Sequence, residues 1–162
     1  MTDPVIFEII KHRLWQINDE QGIAIKTISA SPIVVEGNDY NVGLFTSAAE
    51  LVTAGVGSLV HVTTMGDALT SIIERAESIQ DGDVFMTNDP FLGALHQNDV
   101  VVASPLFRGG NIFMWIGNVL HHPDVGGIDA GSFCINARTL DEDPPRFFMK
   151  IVDCGELVIK NE

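Results

Sequence analysis

Two short segments of the chain, residues 88–100 and 120–127, hold most of the side chains able to bind a metal ion. Each contains a histidine followed three positions later by an aspartate, His96 with Asp99 and His121 with Asp124. A mixed set of imidazole nitrogens and carboxylates suits Mn²⁺, Fe²⁺ or Zn²⁺ better than Ca²⁺ or Mg²⁺. Three or four protein ligands would leave positions open for water or substrate, as Lewis-acid chemistry requires. His122 stands next to His121 and competes for the same role. Asn88-Asp89-Pro90 is by itself an ordinary turn signal, and His and Asp in loops also cap strands, so spacing alone leaves both readings open.

The elements that must position these residues follow from the hydrophobic period. The first thirty residues predict one long helix, capped by Thr2 or Asp3, with Pro4 at its first position. Ile6, Ile10, Leu14, Ile17, Gln21, Ala24 and Ile28 form its expected apolar face. Gly22 weakens the second half by up to about 1 kcal/mol relative to Ala, and Ser31-Pro32 ends the helix. Residues 33–35, 41–45 and 59–63 read as strands, and a second helix is expected from near Asp67 to residues 80–83. Residues 84–86 predict a buried strand leading into Asn88. Residues 100–103 and 111–120 form an expected hairpin around Arg108-Gly109-Gly110, which brings Asp99 beside His121. A Gly-rich loop to about Gly131 and a closing hairpin over 147–152 and 156–159 complete an α+β reading. It comprises a long N-terminal helix, then a mainly antiparallel β unit with one further helix, as a single unit over 1–162.

Composition narrows the partners. The 162 residues carry 22 Asp+Glu against 9 Lys+Arg, a formal charge of −13, which repels nucleic acid and favours cations. The hydrophobic share of 46% and a mean hydropathy of +0.22 describe a globular chain on the apolar side, with either a well-filled core or a partner interface. Cys134 and Cys154 form no CxxC pair and are expected as free thiols. With no signal-peptide pattern and no apolar run long enough to cross a bilayer, a cytoplasmic protein with no membrane contact is expected.

The order Asn88-Asp89-Pro90-Phe91-Leu92-Gly93, then His96-x-x-Asp99-Val100, then His121-His122-x-Asp124-Val125-Gly126-Gly127 resembles the hydantoinase B/acetone carboxylase α-subunit family, which includes the B half of 5-oxoprolinases. Asp3-Pro4-Val5 with Glu8-Ile9-Ile10, and Ser31-Pro32 followed by Glu36 and Asp39-Tyr40, are similar to its opening segments. The resemblance spans nearly the whole chain, yet family members are usually much longer. It therefore implies the N-terminal portion of a hydantoinase B-like domain, incomplete relative to the full domain. It departs from the family in Gly93-Ala94-Leu95, where many members have Gly-Gly-Thr, and in Gly37-Asn38, where basic residues commonly follow the glutamate.

By position, the resemblance implies a divalent metal, manganese first with zinc or iron as alternatives, held by Asp99, His121, Asp124 and His96. Asp89 is expected to shape its turn or to support a ligand. Glu36 is expected as a catalytic base or ligand, or merely as the partner of a cation. No phosphate-binding loop and no GxGxxG occur, and Gly55-Val56-Gly57-Ser58 is not a nucleophile elbow; the ATP use that the resemblance implies therefore places ATP-Mg on a hydantoinase A-like partner subunit. The implied activity is the step after that partner phosphorylates a carbonyl. In a hydrolase branch that step is water attack on a cyclic amide. In a carboxylase branch of the acetone or acetophenone type it is enolate attack on carbon dioxide or a carboxyl phosphate. A non-catalytic structural subunit is the reading from a different class.

Overall fold

The computed structural model describes residues 3–158. Helix α1 runs Pro4–Ile28, with the Asp3 carboxylate accepting from the Val5 N–H at 2.8 Å and Pro4 in the first turn. Thr2, the other expected cap, lies outside the described residues, as does the end of the closing hairpin at Ile159. A one-turn helix α2 (Pro32–Val35) follows, then strands β1 (Tyr40–Thr46) and β2 (Leu51–Ala54), and helix α3 (Leu59–Arg75). Strand β3 (Val84–Thr87) leads through a 3₁₀ turn, Pro90–Leu92, to β4 (Asp99–Arg108) and β5 (Asn111–His121). Strands β6 (Phe148–Asp153) and β7 (Glu156–Leu157) close the chain. All seven strands form one antiparallel sheet in the order β2-β1-β5-β4-β3-β6-β7.

The long first helix, the antiparallel sheet and the hairpin around Gly109-Gly110 match the sequence reading, and three expectations are corrected. Residues 33–35 form a helical turn instead of a strand, because Pro32 opens a turn that Glu36 closes by donating its N–H to Pro32 O at 2.8 Å. Residues 59–63 are the first turn of α3, which therefore starts at Leu59 and not near Asp67, and it ends at Arg75, short of the expected residues 80–83. Their β-branched side chains favour a strand locally, but His61, Met65, Ala68, Leu69 and Ile72 recur at helical steps and all are buried, so tertiary packing decides.

The third correction concerns α1. Its inward stripe is Leu14, Asn18, Gln21, Gly22 and Ile25, while Ile6, Ile10, Ile17 and Ile28 are exposed. The helix docks through small and polar groups. Asn18 Nδ2 donates to Val42 O and Gln21 Nε2 to Gly117 O, each at 3.4 Å, and buried Gly22 lies against the Tyr40 ring. Of the apolar residues that the period selected, only Leu14 turns inward, and Ile6, Ile10, Ile17, Ala24 and Ile28 face outward.

The two faces of the sheet are distinct. Tyr40 and Val42 join Val34 and Ile25 beneath α1, while Phe45, Phe85, Val101, Ala103, Trp115 and Val119 pack against Met65, Ala68, Leu69 and Ile72 of α3. Burial of a side chain of this size contributes about 1.5–3 kcal/mol, so the α3 face is the main core. Side chains of a strand alternate between faces, so Asp99 shares this face with Val101 and Ala103, and His121 shares it with Val119. The same hydrophobic stripe runs along α3 and ends at His61. Its polar end is the candidate site.

Candidate metal centre

Backbone pairing brings the site together before any side chain is considered. Asp99 is the direct register partner of His121, and Tyr40 pairs with Leu120, so Asp39 lies beside His121. His121 N–H donates to Asp39 O at 3.1 Å, and Asp99 N–H donates to His96 O at 2.9 Å, closing the turn that returns His96 toward the strand end. Asn98 locks this turn to β5: its amide donates to His122 O, and His122 N–H donates to Asn98 O, both at 2.8 Å. Buried Asn88 clamps three segments by donating to Gln97 O and Pro145 O and accepting from the Phe147 N–H. Asp89 shapes its own turn by accepting from the Phe91 N–H at 2.9 Å.

His96, Asp99 and His121 each point a ligand atom into one space, all three within 4.8 Å of one another. Asp99 is fully buried. Its Oδ1 lies 2.9 Å from His121 Nδ1 and its Oδ2 lies 3.3 Å from His96 Nε2. The outer nitrogen of His121, Nε2, lies 2.8 Å from Ser132 Oγ. An ionised Asp99 can only accept, so without a metal His121 Nδ1 donates to Asp99 Oδ1 and Nε2 accepts from the Ser132 hydroxyl; a cation bound between Asp99 and His121 would replace the Nδ1 proton, and the Ser132 hydroxyl would then accept from Nε2–H. Phe133 stacks on the His96 ring with centroids 6.0 Å apart. Partial burial pushes the His96 imidazole below its ordinary pKa range, against the opposing pull of Asp99. A neutral imidazole is the form a metal requires.

Two further residues complete the cluster, and the sequence reading had assigned neither a role there. His61 is buried, its Nε2 lies 2.8 Å from Asp39 Oδ1, and its Nδ1 lies 3.7 Å from Asp99 Oδ2. Asp99 Oδ2 and His61 Nδ1 have no hydrogen-bond partner among the described residues. A buried carboxylate oxygen without a partner costs free energy that a bound cation removes. Three imidazoles around two carboxylates, with that orphaned oxygen facing inward, fit a divalent transition metal.

The remaining sequence candidates lie elsewhere. Asp124 is exposed and its carboxylate accepts from the Gly126 and Gly131 N–H groups at 2.8 and 3.0 Å. Those two bonds hold it below the usual carboxylate range. His122 is exposed, and of the histidine pair it is His121 that enters the cluster. Glu36 is exposed at the end of α2, three residues before Asp39, with no side-chain hydrogen bond or ion pair among the described residues. In a second group, Asp83 with Asp153 and Cys154, both Asp83 oxygens are already engaged. Asp83 Oδ2 accepts from Gln80 N–H and pairs with Lys150 at 2.9 Å, and Oδ1 accepts from Cys154 N–H.

Residues 3–161 match the family described as Hydantoinase B/oxoprolinase. The chain is 30% identical over 152 residues to the 5-oxoprolinase of Saccharomyces cerevisiae, covering 93% of this chain and 12% of that protein. It is 30% identical over 134 residues to the acetone carboxylase alpha subunit of Xanthobacter autotrophicus, covering 80% of this chain and 17% of that subunit. Its fold matches the nucleotide-free structure of acetone carboxylase, solved in work on ATP-dependent acetone carboxylation, with a TM-score of 0.86 and 26% identity. That match covers 96% of this chain and 21% of the other. The chain thus spans a small fraction of the length of these relatives.

Proposed function

This chain belongs to the hydantoinase B/oxoprolinase family, and on that premise we propose that it is the metal-carrying part of an ATP-dependent cyclic-amide hydrolase of the oxoprolinase type. The observation that carries the reading is the buried Asp99 carboxylate, set between His96 and His121 with one oxygen unpartnered. These three residues are the proposed ligands, and a bound Mn²⁺, Zn²⁺ or Fe²⁺ supplies Lewis acidity toward a substrate oxygen. Asp99 brings the negative charge, and Ser132 holds the His121 ring in the ligating tautomer. Asp124 is proposed to act one step removed, tying the loop that carries Ser132 and Phe133 against the two imidazoles. Glu36, the free carboxylate on the segment leading to Asp39, is the proposed proton acceptor. The carboxylase reading is favoured by the fold match to acetone carboxylase, and the site serves either chemistry.

Elemental analysis of the purified chain is expected to find about one divalent transition metal per molecule. His96→Ala and His121→Ala are each expected to lose it, whereas Asp124→Ala should keep it with weakened affinity. Full metal content in both histidine variants would refute the assignment.

The proposed partners are a hydantoinase A-like subunit that binds ATP-Mg, the remaining C-terminal part of a hydantoinase B-like domain, and the small-molecule substrate. This unit is proposed to be the N-terminal portion of that domain. Support comes from α1, whose exposed face presents Ile6, Ile10 and Ile17 at helical spacing beside Phe7, Ile9 and Trp15. Each 100 Å² covered there would contribute roughly 2.5 kcal/mol before association costs. Size-exclusion chromatography with light scattering is expected to show the chain well dispersed only beside such a partner, and the isolated chain should not hydrolyse ATP. A stable, metal-loaded 17.6 kDa monomer would overturn the assembly reading. No helix among the described residues is long and apolar enough to cross a membrane.

A further inference from the structure

We propose, resting on the hydrolase reading above, that a polar cavity beside the metal centre receives the ring-opened product as a zwitterion. Its carboxylate would lie on Arg146 and its ammonium on Asp141 and Asp143. Opening a cyclic amide with water breaks the C–N bond, places the water oxygen on the carbonyl carbon and gives the nitrogen a proton. At neutral pH one molecule then carries a carboxylate and an ammonium joined by a short carbon chain. The cavity measures about 810 Å³ and is lined by Asp89, Gly127, Ile128, Asp141, Asp143 and Arg146, so it offers both complementary charges.

Arg146 is held in place yet uncommitted. Its guanidinium lies over the exposed Phe91 ring at 5.2 Å from the centroid. Its one ion pair among the described residues, to Asp89 Oδ1, is long at 3.8 Å, and that oxygen already accepts from the Phe91 N–H. The Arg146 side chain makes no hydrogen bond among the described residues, so its planar fork of N–H donors is free for a carboxylate. The Asp141 side chain likewise has no partner among them, and Asp143 engages only Oδ2, which accepts from Gln97 Nε2 at 2.6 Å. A simple anion on Arg146 would face these two carboxylates, and a simple cation would face Arg146. Opposite charges on one molecule satisfy both. The cavity also borders the two segments that carry the metal ligands: Gln97 follows His96, and Gly127 and Ile128 lie on the loop that leaves His121 at the end of β5.

Isothermal titration calorimetry of the full chain in its complex, loaded with Mn²⁺ and without ATP, tests this with two probes. L-glutamate is the ring-opened form of 5-oxoproline, and glutarate is the same chain without the ammonium. Glutamate is expected to bind, and glutarate to bind about 10–100-fold more weakly. R146Q should weaken glutamate by a similar factor with unchanged metal content, and the D141N/D143N double variant should erase the preference for glutamate over glutarate. Equal binding of the two probes, no binding of glutamate, or R146Q binding glutamate like the wild type would each overturn the inference while the metal content of the wild type stands. Glutamate captured by a wild type that holds no metal would instead sink the metal-centre reading alone. Should R146Q misfold, the wild-type discrimination between glutamate and glutarate decides.

Discussion

Asp99→Asn is expected to abolish stoichiometric metal binding while leaving the fold intact. The substitution preserves volume, and an amide can still bond His121, so the backbone register between Asp99 and His121 should survive. What disappears is the only fully buried negative charge in the cluster, together with the oxygen that lies 3.3 Å from His96 and 3.7 Å from His61. A neutral amide offers one weak acceptor where the carboxylate offered two charged ones. The loss should therefore exceed the roughly 10–100-fold typical of removing an outer supporting group. Stability gives an independent readout. Metal at about 100 times Kd should stabilise the wild type by about 2.7 kcal/mol, and the variant by nothing. Without metal, Asp99→Asn should be at least as stable as the wild type, since a buried charge that lacks full compensation is removed. A variant that still holds one metal per chain would refute Asp99 as the central ligand.

The sequence carried much of this site because the strongest signals were the strand ends. The hairpin β4–β5 follows from apolar runs on either side of a Gly-Gly turn, and its register alone sets Asp99 against His121. His96 was legible for the same reason, being one tight turn before the strand. The apparent symmetry of the two His-x-x-Asp motifs misled, however. Residues 96–99 close a turn that folds back on β4, whereas 121–124 leave β5 outward, so Asp124 binds its own loop backbone. His61 was hidden by local propensity: Val60, Val62, Thr63 and Thr64 look like a strand until His61 is counted as an inward residue. Counting it, the spacing to Met65, Ala68, Leu69 and Ile72 is helical. The orientation of α1 was hidden differently. Its most apolar face is not its buried face, because docking runs through Asn18 and Gly22 on the backbone of β1 and the Tyr40 ring.

Gly57→Ala should produce a large loss of folding stability for a single methyl addition near the site. A Cβ at Gly57 would stand 1.8 Å from Tyr40 O and 2.8 Å from Tyr40 C. Both are backbone atoms of β1, a strand held on either side by β2 and β5, so they have no freedom to yield. The close crossing is maintained by Ser58 N–H donating to Tyr40 O at 2.9 Å and Asn41 Nδ2 donating to Ser58 O at 2.8 Å. The chain would have to lift off β1 and carry Ser58, the N-cap residue of α3, with it. Overpacking costs typically about 1–3 kcal/mol when side chains can adjust, and a clash with fixed backbone belongs at or above the top of that range. At about 2–4 °C per kcal/mol for a chain of this size, the thermal midpoint should fall by roughly 6–12 °C. Because His61 sits in the first turn of α3, the same displacement should weaken metal affinity even below the midpoint. Gly66→Ala is the matched control. It lies inside α3, where a Cβ meets nothing nearer than Ala49 O at 3.6 Å, so it should be neutral or stabilising by up to about 1 kcal/mol. Equal midpoints for the two variants would contradict the crossing of Gly57 over Tyr40, and with it the route by which α3 delivers His61 to the centre.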